Sequence, residues 1–296
     1  MAIPFVDGNA VRLLENGTAY FPALIAAIEA AHYEIHLETY IFENDEVGRT
    51  VAGALAAARQ RGVAVRVLVD GFGARQFYEQ LGRRLAADGC EVMIYRAELE
   101  NPSFRRFRRY RLRRLHRKRV VVDGRLAFVG GINVIGDLTD TDPDFPRHDY
   151  AVAVEGPLVA DIHASVRHVW RLVRWAYMQR RPGPPEDFPI DRGARGSIKA
   201  AFLVRDNLRH RRDIENAYIE AMEAAEREVL IACAYFLPGM RFRETLKAAA
   251  QRGVEVTVLL QSRGDHAVIR HAERMLYREL LAKGIRVFEY QRGFLH

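Results

Sequence analysis

The chain has 296 residues, of which 49% are hydrophobic and 28% charged, and its formal net charge at pH 7 is +7. This length accommodates one large α/β domain or two of ordinary size, and the composition excludes an intrinsically disordered chain. No apolar run reaches the roughly 18–20 residues that span a bilayer, and the N terminus lacks a signal-peptide pattern, so a cytoplasmic location is expected. Cys90 and Cys233 stand far apart in strand-like segments and are expected to be structural.

The predicted elements recur in the same order in the two halves of the chain. Each copy predicts an Ala-rich helix, an apolar strand, a second helix that ends in Arg-Gly, and a Val/Leu-rich strand. Three matched blocks in one order indicate an internal duplication. The matched segments are 28–42 with 222–236, 56–69 with 247–260, and 81–95 with 276–290.

Helices that alternate with apolar strands predict an α/β layered fold with a helix-flanked sheet. The Pro/Gly-rich stretch 181–196 predicts a linker between a first half, 1–180, and a second half, 197–296. Before the linker, residues 157–178 predict a long helix, in which Trp170 and Trp175 are expected to belong to the core.

The positive charge is concentrated in residues 105–119, which contain ten Lys or Arg residues and no acid, whereas the rest of the chain has 35 basic and 38 acidic residues. Such a patch predicts contact with phosphate groups, either of nucleic acid or of an anionic lipid surface, against the alternative of a solvated helix face. The arginines of this predicted anion patch are Arg105, Arg106, Arg108, Arg109, Arg111, Arg113 and Arg114.

The basic segment runs into a motif at 116–133, which reads H-R-K-R-V-V-V-D-G-R-L-A-F-V-G-G-I-N. Residues two apart on an extended chain face the same side, so His116 and Lys118 are expected to project together. The repeat places His296 at the position of His116, because it follows Tyr290 by six residues where the first half has the basic insertion.

The rest of the motif supplies a turn and polar donors. Asp123 begins a predicted turn between two apolar strands, and Gly130 and Gly131 are expected to offer backbone amides to an anion. Asn133 adds a side-chain donor. A neutral imidazole can attack phosphorus, while Lys118 and Asn133 stabilise the charge that develops on the phosphate oxygens.

With this motif the chain resembles the phospholipase D superfamily, whose H-x-K-x4-D-x6-G-[SG]-x-N signature occurs twice in most members. Within that superfamily it is most similar to bacterial cardiolipin synthases that lack N-terminal membrane helices. The similarity covers nearly the whole chain. The blocks that carry it, besides the motif, are L-E-T-Y-I-F (37–42), V-D-G-F-G (69–73), H-D-Y-A-V-A-V-E-G-P (148–157), A-Y-F-L-P-G (234–239) and Y-Q-R-G-F-L-H (290–296).

The resemblance implies a duplicated phospholipase D-like α/β/α sandwich with two pseudo-symmetric halves. It implies that the second half is incomplete, because the family's second motif continues past its histidine and this sequence ends at His296. A chain of this length is therefore expected to have little or no transferase activity.

The resemblance also implies a phosphatidyltransferase that makes cardiolipin from phosphatidylglycerol through a phosphatidyl-histidine. The implied roles are nucleophile for His116 and general acid and base for His296, although the sequence alone leaves the two interchangeable. Asp149 looks like the carboxylate that orients the nucleophilic imidazole, with a strand-start cap as the alternative. Asp123 belongs to the motif but is expected to hold the turn rather than carry a proton. No metal and no other cofactor is implied.

Two other functions remain open. One is a phospholipase D-type phosphodiesterase or nuclease, because basic patches with interleaved aromatic residues also serve nucleic acid. The other is a non-catalytic, lipid-binding fragment. The lipid enzyme is favoured, with phosphatidylglycerol and the inner face of the bacterial cell membrane as partners. Nucleic acid is not expected as a partner, and the sequence leaves the oligomeric state open.

Overall fold

The computed structural model of the chain describes residues 3–96, 114–138, 145–177, 188–205, 210–262 and 267–296. These residues form two compact units. The larger unit comprises Pro4–Asp137 and Asp149–Phe202, and the smaller comprises Met1–Ile3, Leu138–His148 and Leu203–His296.

The strands in chain order are β1 (Val6–Glu15), β2 (Glu34–Thr39), β3 (Ala64–Asp70), β4 (Glu91–Tyr95), β5 (Arg119–Val122), β6 (Leu126–Gly130), β7 (Arg147–His148), β8 (Tyr150–Glu155), β9 (Ile198–Ala200), β10 (Glu228–Cys233), β11 (Glu255–Gln261), β12 (Arg286–Tyr290) and β13 (Phe294–Leu295). The helices are α1 (Asn16–Glu29), α2 (Glu46–Gln60), α3 (Arg83–Ala87), α4 (Val159–Ala176), α5 (Asp213–Ala224), α6 (Met240–Gln251) and α7 (Ala267–Leu281). A π-helical turn, Tyr78–Gly82, leads into α3.

The larger unit is built on one mixed sheet with the strand order β4-β3-β2-β5-β6-β8-β1-β9. The strands β4, β3 and β2 are parallel, and the later neighbours pair antiparallel. Apolar residues of α1 and α2 pack on one face of the sheet, and those of α4 pack on the other. This unit is therefore the predicted α/β/α sandwich, with an antiparallel extension beyond the parallel strands.

The central strand β2 is buried on both faces. Its apolar residues Ile35 and Leu37 belong to the core beneath α1 and α2. The alternate positions, Glu34, His36 and Glu38, are also buried and face the other side of the sheet. Buried polar groups need partners, so this face of β2 carries a network of ion pairs and hydrogen bonds.

The smaller unit has a parallel sheet, β10-β11-β12, and a short parallel pair, β13-β7. Helices α5, α6 and α7 share one apolar core with β11. The opposite face is open among the described residues: Leu230 of β10 is 65% exposed and Phe288 of β12 is 52% exposed.

The duplication extends to strand register. Glu34 of β2 pairs with Ala64 of β3, and the matched residue Glu228 of β10 pairs with Glu255 of β11. Both helix ends predicted from Arg-Gly are present. Gly62 and Gly253 have φ values of +95° and +88°, a conformation that glycine adopts without steric cost.

The described part of the predicted linker, 188–196, packs on the larger unit. The N–H of Arg195 donates to the carbonyl of Gly8 at 2.8 Å. The expectation for Trp175 is wrong: it lies near the end of α4 with 80% of its surface exposed, because the buried stripe of that helix passes through Trp170 and Val173. Within the described residues, every helix is too short or too polar to cross a bilayer.

Candidate active site

His116 and Lys118 lie in the extended segment that leads into β5. The Nζ atom of Lys118 is 3.2 Å from Nε2 and 3.3 Å from Nδ1 of His116, as the two-residue spacing predicts. His116 is exposed, whereas Lys118 is only 6% exposed. An imidazole open to solvent therefore stands beside a buried amine.

Burial lowers the pKa of Lys118 from 10.5 to about 8, against the opposing effect of the nearby charge of Asp149. The amine therefore stays largely protonated at neutral pH. A cation in a partly desolvated position attracts a phosphate oxygen more strongly than one in bulk water. Lys118 is thus suited to hold a phosphate next to the His116 ring.

Tyr40 forms a third side of this group, and the sequence did not identify it. Its ring centroid lies 4.9 Å from that of His116, and the Nζ of Lys118 lies 5.5 Å from the Tyr40 ring. Burial and then the charge of Asp70 raise the pKa of Tyr40, so its hydroxyl stays neutral at physiological pH. Its position in the sequence could have indicated this role, because Tyr40 directly follows β2, the strand that pairs with β5 beside His116.

Asn133 is buried, and its side-chain oxygen accepts a hydrogen bond from the backbone N–H of Ile41 at 3.0 Å. That bond fixes which end of the amide is engaged, so the NH₂ group is the part that can donate to a ligand. Ile41 follows Tyr40 directly, so Asn133 and Tyr40 are tied to the same short segment after β2.

The expectation for the amides of Gly130 and Gly131 is wrong. The N–H of Gly130 donates to the carbonyl of Lys118 at 3.3 Å, and that of Gly131 donates to the carbonyl of Tyr150 at 2.9 Å. Both amides therefore serve the sheet rather than an anion. A Cβ added at Gly130 would lie 2.4 Å from the Cα of Ala151, so the glycine is required by a close approach of the backbones.

Asp149 follows β7 and is 9% exposed. Its backbone N–H donates to the side-chain oxygen of Asn16 at 3.0 Å, and its Oδ1 accepts from the N–H of Tyr150 at 2.7 Å. The carboxylate also fills the space beside Gly131. Together with its effect on the Lys118 pKa, these contacts make Asp149 part of the charge balance around Lys118.

Asp123 stands apart from this group. Its carboxylate accepts hydrogen bonds from the backbone N–H groups of His32, Tyr33 and Glu34 at 2.8, 2.8 and 2.9 Å. It lies seven residues along an extended chain from His116, on the order of 20 Å away. Asp123 therefore holds the start of β2, which is a structural role like the one expected of it, and it does not lie beside His116.

His296 follows β13 in the smaller unit. Its backbone N–H donates to the carbonyl of His148 at 3.0 Å, and its ring stacks on that of Phe294. The ring of His148 in turn stacks on Tyr290 with centroids 5.2 Å apart. Parallel pairing of β13 with β7 thus sets the backbone of the second motif histidine.

A separate buried cluster contains Glu34, His36 and His163, with ligand-type atoms within 4.8 Å of one another. Arg66 donates to Glu34 at 3.0 Å, and both imidazoles hydrogen-bond the same carboxylate. Burial alone would raise the pKa of Glu34, but the bonds from His163 and His36 outweigh it and hold the pKa well below its usual range. The guanidinium already supplies the positive charge that a metal would bring, so the cluster ties α4 to β2 and β3.

The predicted anion patch lies almost wholly outside the described residues. This applies to Arg105, Arg106, Arg108, Arg109, Arg111 and Arg113. Arg114 is described, and its guanidinium carbon lies 4.4 Å from the ring centroid of Phe72.

A family model described as "Cardiolipin synthase, PLD-like domain" matches residues 24–144 and 218–296. The chain belongs to this family of phosphatidyltransferases. Cardiolipin synthase B of Escherichia coli (strain K12) is 38% identical over 300 residues, covering 98% of this chain and 69% of the relative. A probable cardiolipin synthase of Bacillus subtilis (strain 168) is 31% identical over 288 residues, covering 97% of this chain and 56% of the relative.

Among solved structures, phosphatidylserine synthase of Haemophilus influenzae Rd KW20 matches with a TM-score of 0.64 and 12% identity, covering 99% of this chain and 76% of that chain. At 12% identity the match supports a shared fold and nothing about function. It confirms the phospholipase D-like α/β architecture that the cardiolipin synthase family implies.

Proposed function

We propose that this cardiolipin synthase-family chain transfers a phosphatidyl group from one phosphatidylglycerol to the free glycerol hydroxyl of a second, giving cardiolipin and glycerol. The observation that carries this proposal is the exposed His116 imidazole with the buried Lys118 amine 3.2 Å from its Nε2. A nucleophile beside a desolvated cation suits attack on an anionic phosphodiester.

In the first step an imidazole nitrogen of His116 attacks phosphorus, and the bond from phosphorus to the departing glycerol oxygen breaks. The departing alkoxide takes a proton from His296. In the second step His296 takes the proton of the incoming hydroxyl, whose oxygen attacks phosphorus and releases His116. Atoms and protons balance over the two steps, and both histidines return to their starting states.

Lys118 and the NH₂ group of Asn133 hold the non-bridging phosphate oxygens and stabilise the charge that they gain. Both groups are buried and fixed before substrate arrives, so they need little reorganisation in the transition state. Asp149 is proposed to orient the His116 imidazole, and its buried carboxylate beside Gly131 supports a fixed position for that charge. Tyr40 bounds the site on the side of the His116 ring.

The substrate is proposed to reach the site from the inner face of the bacterial membrane, with the chain bound peripherally. Phe72 supports this: it is 48% exposed, Arg114 lies 4.4 Å and Arg75 5.9 Å from its ring centroid, and it follows β3 by two residues. An exposed aromatic ring flanked by arginines is typical of contacts with anionic interfaces.

The test compares substrates at matched ionic strength, because binding to both bilayers and nucleic acid depends on salt. The full chain is mixed with phosphatidylglycerol vesicles, with phosphatidylcholine vesicles, or with DNA. We expect binding to phosphatidylglycerol vesicles and, at a low rate, formation of cardiolipin and glycerol in equal amounts. DNA cleavage without lipid turnover would favour the nuclease, and vesicle binding without turnover would favour a lipid-binding protein.

Two substitutions separate binding from chemistry. His116→Gln is expected to abolish turnover and leave vesicle binding intact, because the imidazole is needed only for the covalent step. Phe72→Ala is expected to weaken vesicle binding, while Phe5→Ala, which removes a ring that is 52% exposed away from the motif, serves as its matched control.

A further inference from the structure

We propose that Asp70 and Gln261 are positioning residues, each of which holds the backbone beside one of the two motif histidines. The proposal rests on the roles proposed for His116 and His296. Neither residue belongs to the H-x-K motif. Asp70 lies in the V-D-G-F-G block, which carries the family resemblance but assigns this residue no role.

Asp70 is the last residue of β3 and is 1% exposed. Its Oδ2 accepts a hydrogen bond from the backbone N–H of Leu115, the residue before His116, at 2.7 Å. Its Oδ1 accepts from the N–H groups of Phe72 and Gly73 at 2.8 and 3.2 Å. One carboxylate therefore joins the histidine segment to the loop that follows β3.

The loop that follows β3 also contacts the site, through Tyr40. A Cβ added at Gly73 would lie 2.4 Å from the carbonyl oxygen of Tyr40 and 2.9 Å from its ring, so Gly73 packs directly against Tyr40. Tyr40 in turn lies against the His116 ring. Asp70 thus acts on His116 by two routes, through the Leu115 backbone and through the packing of Tyr40.

Gln261 is the last residue of β11, at the position that the repeat matches with Asp70, and it is 2% exposed. Its Oε1 accepts a hydrogen bond from the N–H of Leu295, the residue before His296, at 2.6 Å. Its Nε2 lies 3.4 Å from the carbonyl of Gly293, within donating distance. The same bond therefore occurs in both halves, made by an acid in one and an amide in the other.

Leu115 and Leu295, the residues before the two histidines, are also held in place by burial of their own side chains. Leu115 is 4% exposed and Leu295 is 2% exposed. A leucine fixed by its buried side chain and by its N–H leaves little freedom for the next residue. Catalytic geometry tolerates only small displacements. By fixing the backbone just before each histidine, Asp70 and Gln261 position the imidazoles without contacting substrate.

The experiment measures the reactivity of each histidine separately in the full chain. Diethyl pyrocarbonate modifies neutral imidazoles, and peptide mass spectrometry gives the modification rate at His116 and at His296 as a function of pH. Asp70→Ala is expected to change the rate at His116 at least about threefold and to leave His296 unchanged, and Gln261→Met is expected to do the reverse.

Two further variants sharpen the result. Gln261→Glu keeps an oxygen acceptor for Leu295 but sets its second oxygen against the carbonyl of Gly293. It is therefore expected to restore the rate at His296 only in part, to a value between those of Gln261→Met and the wild type. If Asp70→Ala does not fold, Asp70→Asn replaces it with the same expected outcome, because its amide accepts on one side only and leaves either Leu115 or the Phe72–Gly73 loop without an acceptor.

Asp45→Ala is the matched control. Its carboxylate also bridges two backbone segments, accepting from the N–H groups of Gly48 and Gly136 at 2.7 Å each. Asp45→Ala is expected to leave the modification rates of both histidines unchanged. Equal changes at both histidines, or no change at either in folded variants, would overturn the proposal. Selective changes without any phosphatidyl transfer would count against the proposed function and leave the positioning roles standing.

Discussion

The carboxylate of Asp149 occupies the space in which any side chain at Gly131 would have to lie: an added Cβ would come within 2.1 Å of Oδ1. The sequence motif permits a small residue at this position, but here the neighbouring acid takes up the room. Gly131 is therefore coupled to Asp149 and, through its charge, to Lys118.

Gly131→Ala is accordingly expected to displace Asp149. Overpacking of this kind costs about 1–3 kcal/mol of stability, and loss of the Asp149 position should lower the rate of phosphatidyl transfer at least about tenfold. Gly53→Ala is the control, because a Cβ there meets nothing within 4 Å and lies on the helix α2. An alanine at 131 with normal stability and rate would contradict the coupling.

The rate of transfer is expected to fall as the pH rises above about 8. Burial sets the pKa of Lys118 at about 8, so the amine loses the charge that holds phosphate as the pH passes that value. Lys118→Arg keeps its charge to far higher pH and should move the alkaline limb upward, even at a lower maximal rate. The pH profile of kcat/KM measures this, and an alkaline limb that stays in place would argue against a role for the Lys118 charge.

Glu38→Gln is expected to destabilise the chain by about 3–5 kcal/mol, because it leaves the buried guanidinium of Arg119 without its counter-charge. Arg119 donates its Nε–H to Glu38 at 3.0 Å, and both side chains are at most 5% exposed. Glu79→Gln removes the acid of an exposed pair with Arg83 and should cost less than about 1 kcal/mol. Urea unfolding of the two variants compares them, and similar midpoints would refute the expectation.

Stability is expected to fall as the pH drops below about 6.5. Burial lowers the pKa of His36 despite the Glu34 hydrogen bond, so the unfolded chain takes up a proton that the folded chain does not. Stability is therefore greatest above about 6.5, with a slope of up to roughly 1.4 kcal/mol per pH unit below it. His36→Gln should flatten this slope, whereas His168→Gln, at an exposed position on α4, should leave it intact. Thermal unfolding across this range provides the measurement.

The duplicated strands were predictable because their signal is local and occurs twice. Arg-Gly helix ends and Val/Leu runs indicate β3 and β11 within each copy, and the shared order fixes their correspondence. The pairing of His116 with Lys118 was also predictable, since it depends only on spacing along an extended chain.

The supports of the site were not predictable in the same way. The hydrogen bond from Leu115 to Asp70 joins residues 45 positions apart. The sequence around neither residue indicates that the two would meet. The amide of Gly131 was misjudged because the identity of its partner, Tyr150, depends on how β8 lies against β6. Likewise, Trp175 is an apolar residue near the end of α4, but it does not lie on the face of that helix that Trp170 and Val173 bury.

The central claim, that His116 is the nucleophile of a phosphatidyl transfer, is tested most directly by trapping the covalent intermediate. The full chain is mixed with phosphatidylglycerol vesicles, quenched at alkaline pH, where phosphorus–nitrogen bonds of histidine survive, and analysed by peptide mass spectrometry. We predict a phosphatidyl adduct on His116 that is absent from His116→Gln. An adduct on His296 instead, or lipid turnover with no adduct on either histidine, would contradict the claim.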